Sequence, residues 1–195
     1  MDPQLKKYED TIKPLMKSKR FIHSKNVAEM CLILAKKFGA DENKAYTAGI
    51  LHDCRKETEK AVMLSEAEKS GFYIDPVEKN CQKLWHGIAG AYYVKNILGI
   101  TDQDILNAIR FHTVGRADMS ITEKIVFLAD MVSAERDYPH VEKYREAVLE
   151  DLDNAMFQTL RYSISKMAEY GNTIPITTLE AYNFYEPFKK GHLLP

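Results

Sequence analysis

The segment AGILHDCRKE sets His52 and Asp53 side by side at the end of an apolar run, with Arg55 and Lys56 directly behind. An ionised carboxylate inside a protein costs several kcal/mol unless a cation or strong donors compensate it. Four histidines share this predicament. Residues at i, i+3, i+4 and i+7 occupy one face of a helix, and His23 continues the face of Val27, Met30 and Leu34, while His52 closes that of Ala45, Ala48 and Gly49. His112 closes Ile105, Ala108 and Ile109 in the same way, and His86 opens Ala89, Gly90, Tyr93 and Ile97. Asp130 lies in KIVFLADMV, apolar on almost every side. One histidine on an apolar face is usually a satisfied core residue, but four of the six in the chain, together with two aspartates, form a constellation. His140, beside Pro139, and His192, in the tail, read as surface residues.

Imidazole and carboxylate without thiolate suit a borderline divalent ion such as iron, manganese, cobalt or zinc. Adjacent helical residues point about 100° apart, yet a short carboxylate reaches sideways to an ion that its neighbour binds, or bridges two ions. A cation between helices would make the His52–Asp53 pair tolerable in a core.

The elements that must position these groups are helical. Val27, Met30, Cys31, Leu34, Ala35 and Phe38 repeat at three- and four-residue steps, as do the other faces named above. The pattern predicts roughly eight helices, over approximately 3–17, 20–38, 42–54, 58–70, 85–98, 102–112, 121–135 and 139–170, with a short one at the C-terminus. Gly39 and Gly71 stand where helices should stop, and TDQD from Thr101 and SITE from Ser120 read as capping boxes. No strand or hairpin pattern appears. The expectation is an all-α fold forming a single domain over residues 1–195, with the chemistry-bearing part at about 18–140.

Composition narrows the function. Lys and Arg number 27 against 28 Asp and Glu, so no overall basic field gathers nucleic acid or an anionic membrane. The 3 cysteines lack CxxC spacing, which fits reduced thiols and a cytoplasmic setting. Apolar runs fall short of the roughly 18 residues of a membrane span, and MDPQLKKYED lacks the apolar stretch of a signal peptide. The expected partner is a small molecule, and the aromatic tail AYNFYEPF points to a homodimer.

In order along the chain, RFIHSKNVAEMC, GILHDCRKE, WHGIAGAYY, IRFHTVGRADMS and KIVFLADMVSAERD resemble the motifs of the HD-domain metal-dependent phosphohydrolases. RFIHS, HTVGRADMS and EKIVFLADMVSAERDYP are similar to one bacterial branch of that family, the symmetrical diadenosine tetraphosphate hydrolases. The resemblance implies an HD-type helical fold with its metal site among the helices, and an enzyme that splits diadenosine tetraphosphate into two ADP. An HD nucleotidase acting on nucleoside mono- or triphosphates shares the same motifs, and a non-catalytic helical module that binds metal or nucleotide is the reading from another class.

Carried over by motif, the resemblance implies His23, His52, Asp53 and Asp130 as metal ligands, with iron the first expectation. His86 and His112 either hold a second ion bridged by Asp53 or contact phosphate. Metal-bound water loses its proton near neutral pH and can attack phosphorus. Asp53 and Lys56 are the expected catalytic residues. Arg20, Lys56 and Arg136 are the expected phosphate cations, with Arg20 and Lys56 on one side of the centre and Arg136 on another; an arginine fork matches phosphate oxygens in a bidentate manner. Thr113 is a candidate hydroxyl donor. The expected substrate-binding set also takes in Asp53, Cys54 and Arg55, with Cys54 there as packing rather than as a ligand and Arg55 facing phosphate or solvent. Arg116, Trp85 and Glu135 have open roles.

Overall fold

The computed structural model describes the backbone of residues 3–195 and the side chains of residues 6–195. Among the described residues all regular structure is helical. The elements are α1 (Pro3–Ile12), α2 (Ser18–Phe38), α3 (Glu42–Leu51), α4 (Lys60–Lys69), α5 (Pro76–Asn80), α6 (Trp85–Asn96), α7 (Gln103–Phe111), α8 (Ile121–Val132), α9 (Val141–Glu150), α10 (Leu152–Glu169) and α11 (Ile176–Tyr185). Helices α2, α3, α7 and α8 pack together as the core, α6 lies on α7 and is covered by α4, and α10 rests on α8, α9 and α11. None of the described helices is long and apolar enough to cross a membrane.

Local chemistry sets the boundaries. Gly39 ends α2 in the left-handed region (φ +71°), with its N–H on the Ala35 carbonyl. Ser120 and Glu123 form the expected capping box of α8. In TDQD the cap is Asp102 rather than Thr101, its carboxylate accepting from the Asp104 and Ile105 N–H groups.

Several predicted boundaries shift. Helix α1 stops at Ile12 and gives way to a 3-10 turn at Lys13–Leu15, because Pro14 cannot continue the α ladder. The long helix predicted over 139–170 is two: Asp151 leaves helical geometry (φ −156°) and caps α10 through the Asp153 and Asn154 N–H groups. Helix α5, unforeseen, opens on an Asp75–Glu78 capping box. Helix α8 stops at Val132, and both α3 and α7 end one residue before their histidine. The face predicted for α6 also fades, since Ile97 is 62% exposed.

Candidate active site

The ends of α3 and α7 explain how two histidines turn inward. The last carbonyls of a helix lack intrahelical partners. His52 follows α3 and its Nδ1 meets the Gly49 carbonyl at 2.7 Å; His112 follows α7 and meets Ile109 O at 2.7 Å. His86, in the first turn of α6, meets Lys83 O at 2.8 Å from the preceding turn. In each ring the nitrogen facing a carbonyl carries the proton, so Nε2 presents its lone pair. His23 sits inside α2, where the neighbouring carbonyls belong to the helix ladder, and its Nδ1 pairs instead with Glu135 Oε1.

All four Nε2 atoms converge on Asp53. On the Oδ2 side, His23 Nε2 and His52 Nε2 lie 3.2 Å apart and stand 3.8 and 3.6 Å from that oxygen. On the Oδ1 side, His86 Nε2 and His112 Nε2 lie 3.1 Å apart, at 3.2 and 3.6 Å. Asp130 Oδ1 is 3.1 Å from His23 Nε2. Its side chain is 18% exposed, so Asp130 sits at the rim of the site instead of in the deep interior its sequence context suggested.

The two sides differ in donors. Lys56 Nζ lies 3.0 Å from His86 Nε2, and Thr113 Oγ1 lies 3.0 Å from His112 Nε2 and 3.3 Å from His86 Nε2, so those lone pairs have hydrogens to accept. His23, His52, Asp53 and Asp130 present lone pairs to one another. Arg20 donates to Asp53 Oδ2 at 2.6 Å and Arg136 donates to an Asp130 carboxylate oxygen, but both approach from outside the group. A small set of nitrogen and oxygen acceptors facing inward is the donor chemistry of a divalent cation site. His23, His52 and Asp130 bring ligand atoms within 4.8 Å of one another, and so do His52, Asp53 and His112.

Electrostatics follow from burial and charge. Burial lowers the His52 and His86 pKa values to about 4, keeping both rings neutral at pH 7. Burial also pulls His23 down, but Asp130, Glu135 and Asp53 outweigh it and hold His23 above its ordinary value. Asp53 is held well below the carboxylate range: burial opposes ionisation, and His52, His112 and His86 more than offset it. Burial lowers Lys56 as well.

The HD domain family matches residues 20–135, a span running from Arg20 to Glu135 and containing every group just described except Arg136. The chain belongs to the HD-domain family. A relative from Halalkalibacterium halodurans named bis(5'-nucleosyl)-tetraphosphatase, symmetrical, is 40% identical over 88% of this chain and 91% of its own. A protein of the same name from Bacillus subtilis is 32% identical over 89% of this chain and 92% of its own. The crystal structure of a predicted HD superfamily hydrolase involved in NAD metabolism, from Clostridium acetobutylicum, superposes with a TM-score of 0.89 at 33% identity, covering 94% of this chain and 97% of that one.

Around the HD centre, the structure gathers His23, His52, Asp53, His86, His112, Thr113 and Asp130 with Arg20, Lys56 and Arg136. The cations are arranged differently from the expectation. Arg20 and Arg136 line one cleft together with His23, whereas Lys56 lines another together with His86. Two residues of the expected substrate set lie elsewhere. Arg55 turns away, its Nε and Nη2 bonding Glu66 at 2.8 and 2.5 Å and its guanidinium lying over the Tyr93 ring. Cys54 is 1% exposed within the apolar core, and burial pushes its thiol up to about 12. Arg116 forms a two-pronged pair with Glu123 on the α8 cap, and the Trp85 indole donates to the Glu78 and Lys79 carbonyls. Asn26 and Ser133, which anchor Glu135 at 2.7 and 2.8 Å, escaped the sequence reading. Asn26 stands one helical turn after His23, the spacing that could have revealed it.

Proposed function

We propose that this HD-domain protein is a symmetrical bis(5'-nucleosyl)-tetraphosphatase, hydrolysing diadenosine tetraphosphate to two ADP. The observation that carries the chemistry is the acceptor-lined group of His23, His52, Asp53 and Asp130, with an arginine on each carboxylate; the names of the relatives support the substrate. His23, His52, Asp53 and Asp130 would hold one divalent ion, with iron the first candidate. When bound, it supplies Lewis acidity toward a phosphoryl oxygen and lowers the pKa of water.

The remaining steps belong to the chain. Water's oxygen bonds to one of the two inner phosphorus atoms, the bridging P–O bond breaks, and its electron pair leaves with the ADP of the other half. The water's proton passes to solvent. Arg20 and Arg136 neutralise phosphate oxygens on one side of the centre, and Lys56 and Thr113 do so on the other, held in place by His86 and His112. A diphosphate is a stable leaving anion, so the contribution of Lys56 is its charge rather than its proton. Buried His52 and His86 stay neutral and available throughout. The three cysteines are all free, which agrees with a reducing, cytoplasmic setting, and the aromatic tail remains the basis for proposing a homodimer.

Early-time chromatography of products from diadenosine tetraphosphate in isotopically labelled water tests this. The expected result is ADP alone, with one labelled oxygen shared between the two product molecules. Equimolar ATP and AMP would replace the symmetrical assignment. Rapid hydrolysis of mononucleotides with no turnover of the dinucleotide would favour the nucleotidase.

A further inference from the structure

Two clefts border the centre, one at His23 and the other at His86. The first, of about 480 Å³, is lined by Lys17, Lys19, Arg20, His23, Arg136 and Tyr138 among others. The Tyr138 ring is backed by Tyr162, stacked at 5.5 Å and 26°. The second, of about 310 Å³, is lined by Lys56, Met63, Gln82, Lys83 and His86. Both volumes fall in the range of small-molecule sites, roughly 300–1,000 Å³. His23 borders the first and His86 the second, and these rings face Oδ2 and Oδ1 of the same carboxylate. The His–Asp53 centre therefore stands between two separate clefts.

The second cleft has its own complement of chemistry. Lys56 and Lys83 supply ammonium groups for phosphate. Met63, 5% exposed on α4, supplies a polarisable apolar surface for a flat ring, and Gln82 supplies an amide that both donates and accepts. Hydrolysis of a mononucleotide would need one chamber only. A dinucleotide cut at its midpoint presents a nucleoside diphosphate to each side of the centre. Building on the function proposed above, we infer that the cleft of Lys56, Met63, Gln82 and Lys83 is a second nucleoside diphosphate site, which holds one half of the substrate while the Arg20–Arg136 cleft holds the other.

Calorimetric titration of the metal-loaded protein with ADP tests this without requiring turnover. Two ADP should bind per chain. Gln82→Trp, which fills the second cleft, should remove one of them. Lys83→Glu, on an exposed side chain whose replacement leaves packing alone, should weaken that same site and raise KM for diadenosine tetraphosphate about tenfold. A single ADP per wild-type chain, or two undisturbed sites in both variants, would overturn the assignment even with symmetrical hydrolysis intact. Two ADP bound and one lost in the variants, without dinucleotide turnover, would uphold the second site and remove the proposed reaction.

Discussion

Glu135 illustrates how one side chain's position decides another's chemistry. Three of the four central histidines are oriented by backbone carbonyls, which no substitution deletes, but His23 depends on a side chain. Glu135 is itself held by Asn26 and Ser133, and its own pKa falls to about 2: burial opposes ionisation, while His23, Asn26 and Ser133 more than offset it. A charged partner on Nδ1 fixes the ring and strengthens Nε2 as a donor to metal, so Glu135→Gln should weaken metal affinity roughly 10- to 100-fold. Competition with a fluorescent chelator measures this, with helical circular dichroism unchanged; wild-type affinity would make Glu135 irrelevant to the centre. The donors on His86 and His112 lead to a second expectation. His86→Ala and His112→Ala should each keep one metal per chain while turnover falls. Halved metal content, measured against a wild type carrying two ions, would restore the reading in which these rings bind a second ion.

At the scale of elements, the His23–His52 contact requires α2 and α3 to approach closely. A Cβ at Gly49 would stand 2.8 Å from Cys31 Sγ and 3.1 Å from the Ala28 Cα. Gly87 has the same role on the other side, where a Cβ would meet the Arg110 carbonyl at 2.9 Å and push α6 off α7. Backbone has little room to yield. Overpacking of this kind costs about 1–3 kcal/mol. Gly49→Ala should lower Tm by several degrees, about 2–4 °C per kcal/mol in a chain of this size, and weaken metal binding by parting His52 from His23. An unchanged Tm in a thermal melt would show that α3 slides without cost. The break after α8 matters equally: ending the helix at Val132 lets Glu135 turn back to His23 and Arg136 to Asp130.

For the whole molecule, the ion and the fold are linked. An ion that binds only the folded chain stabilises it by about 2.7 kcal/mol at a hundredfold excess over Kd, so stripping it at neutral pH should lower Tm by roughly 5–10 °C. Acid should also release it, because protons compete for ligand nitrogens. The sign follows from His23, whose pKa lies above the ordinary 6.5, while His52 stays unprotonated down to about 4. Apparent metal affinity, measured by chelator competition across a pH series, should therefore begin to fall above pH 6.5. An affinity that stays constant with pH down to about 4 would mean that His23 does not bind the ion.

Much of this protein was legible in its sequence, because helical periodicity is a local property. The inward faces of α2, α3 and α7, with His23 on the first and His52 and His112 directly following the other two, follow from three- and four-residue spacing alone. Burial of Asp53 follows from its place beside His52. What lay beyond the sequence depends on where chain ends turn and which surfaces then meet. The predicted continuation of α8 to residue 135 would have carried Glu135 and Arg136 away along a helix, and no proline or glycine marks the break. Arg55 and Lys56 are neighbours with the same charge, yet Glu66 on α4 draws one outward while His86 on α6 receives the other. Likewise, the assignment of Arg20 and Arg136 to one cleft and Lys56 to another was fixed only by packing: α4 and α6 wall off the Oδ1 side of Asp53, and α2 with the α8–α9 connection walls off the other. Spacing along a helix specifies a direction for each side chain, and only the meeting of several helices specifies what stands at the end of it.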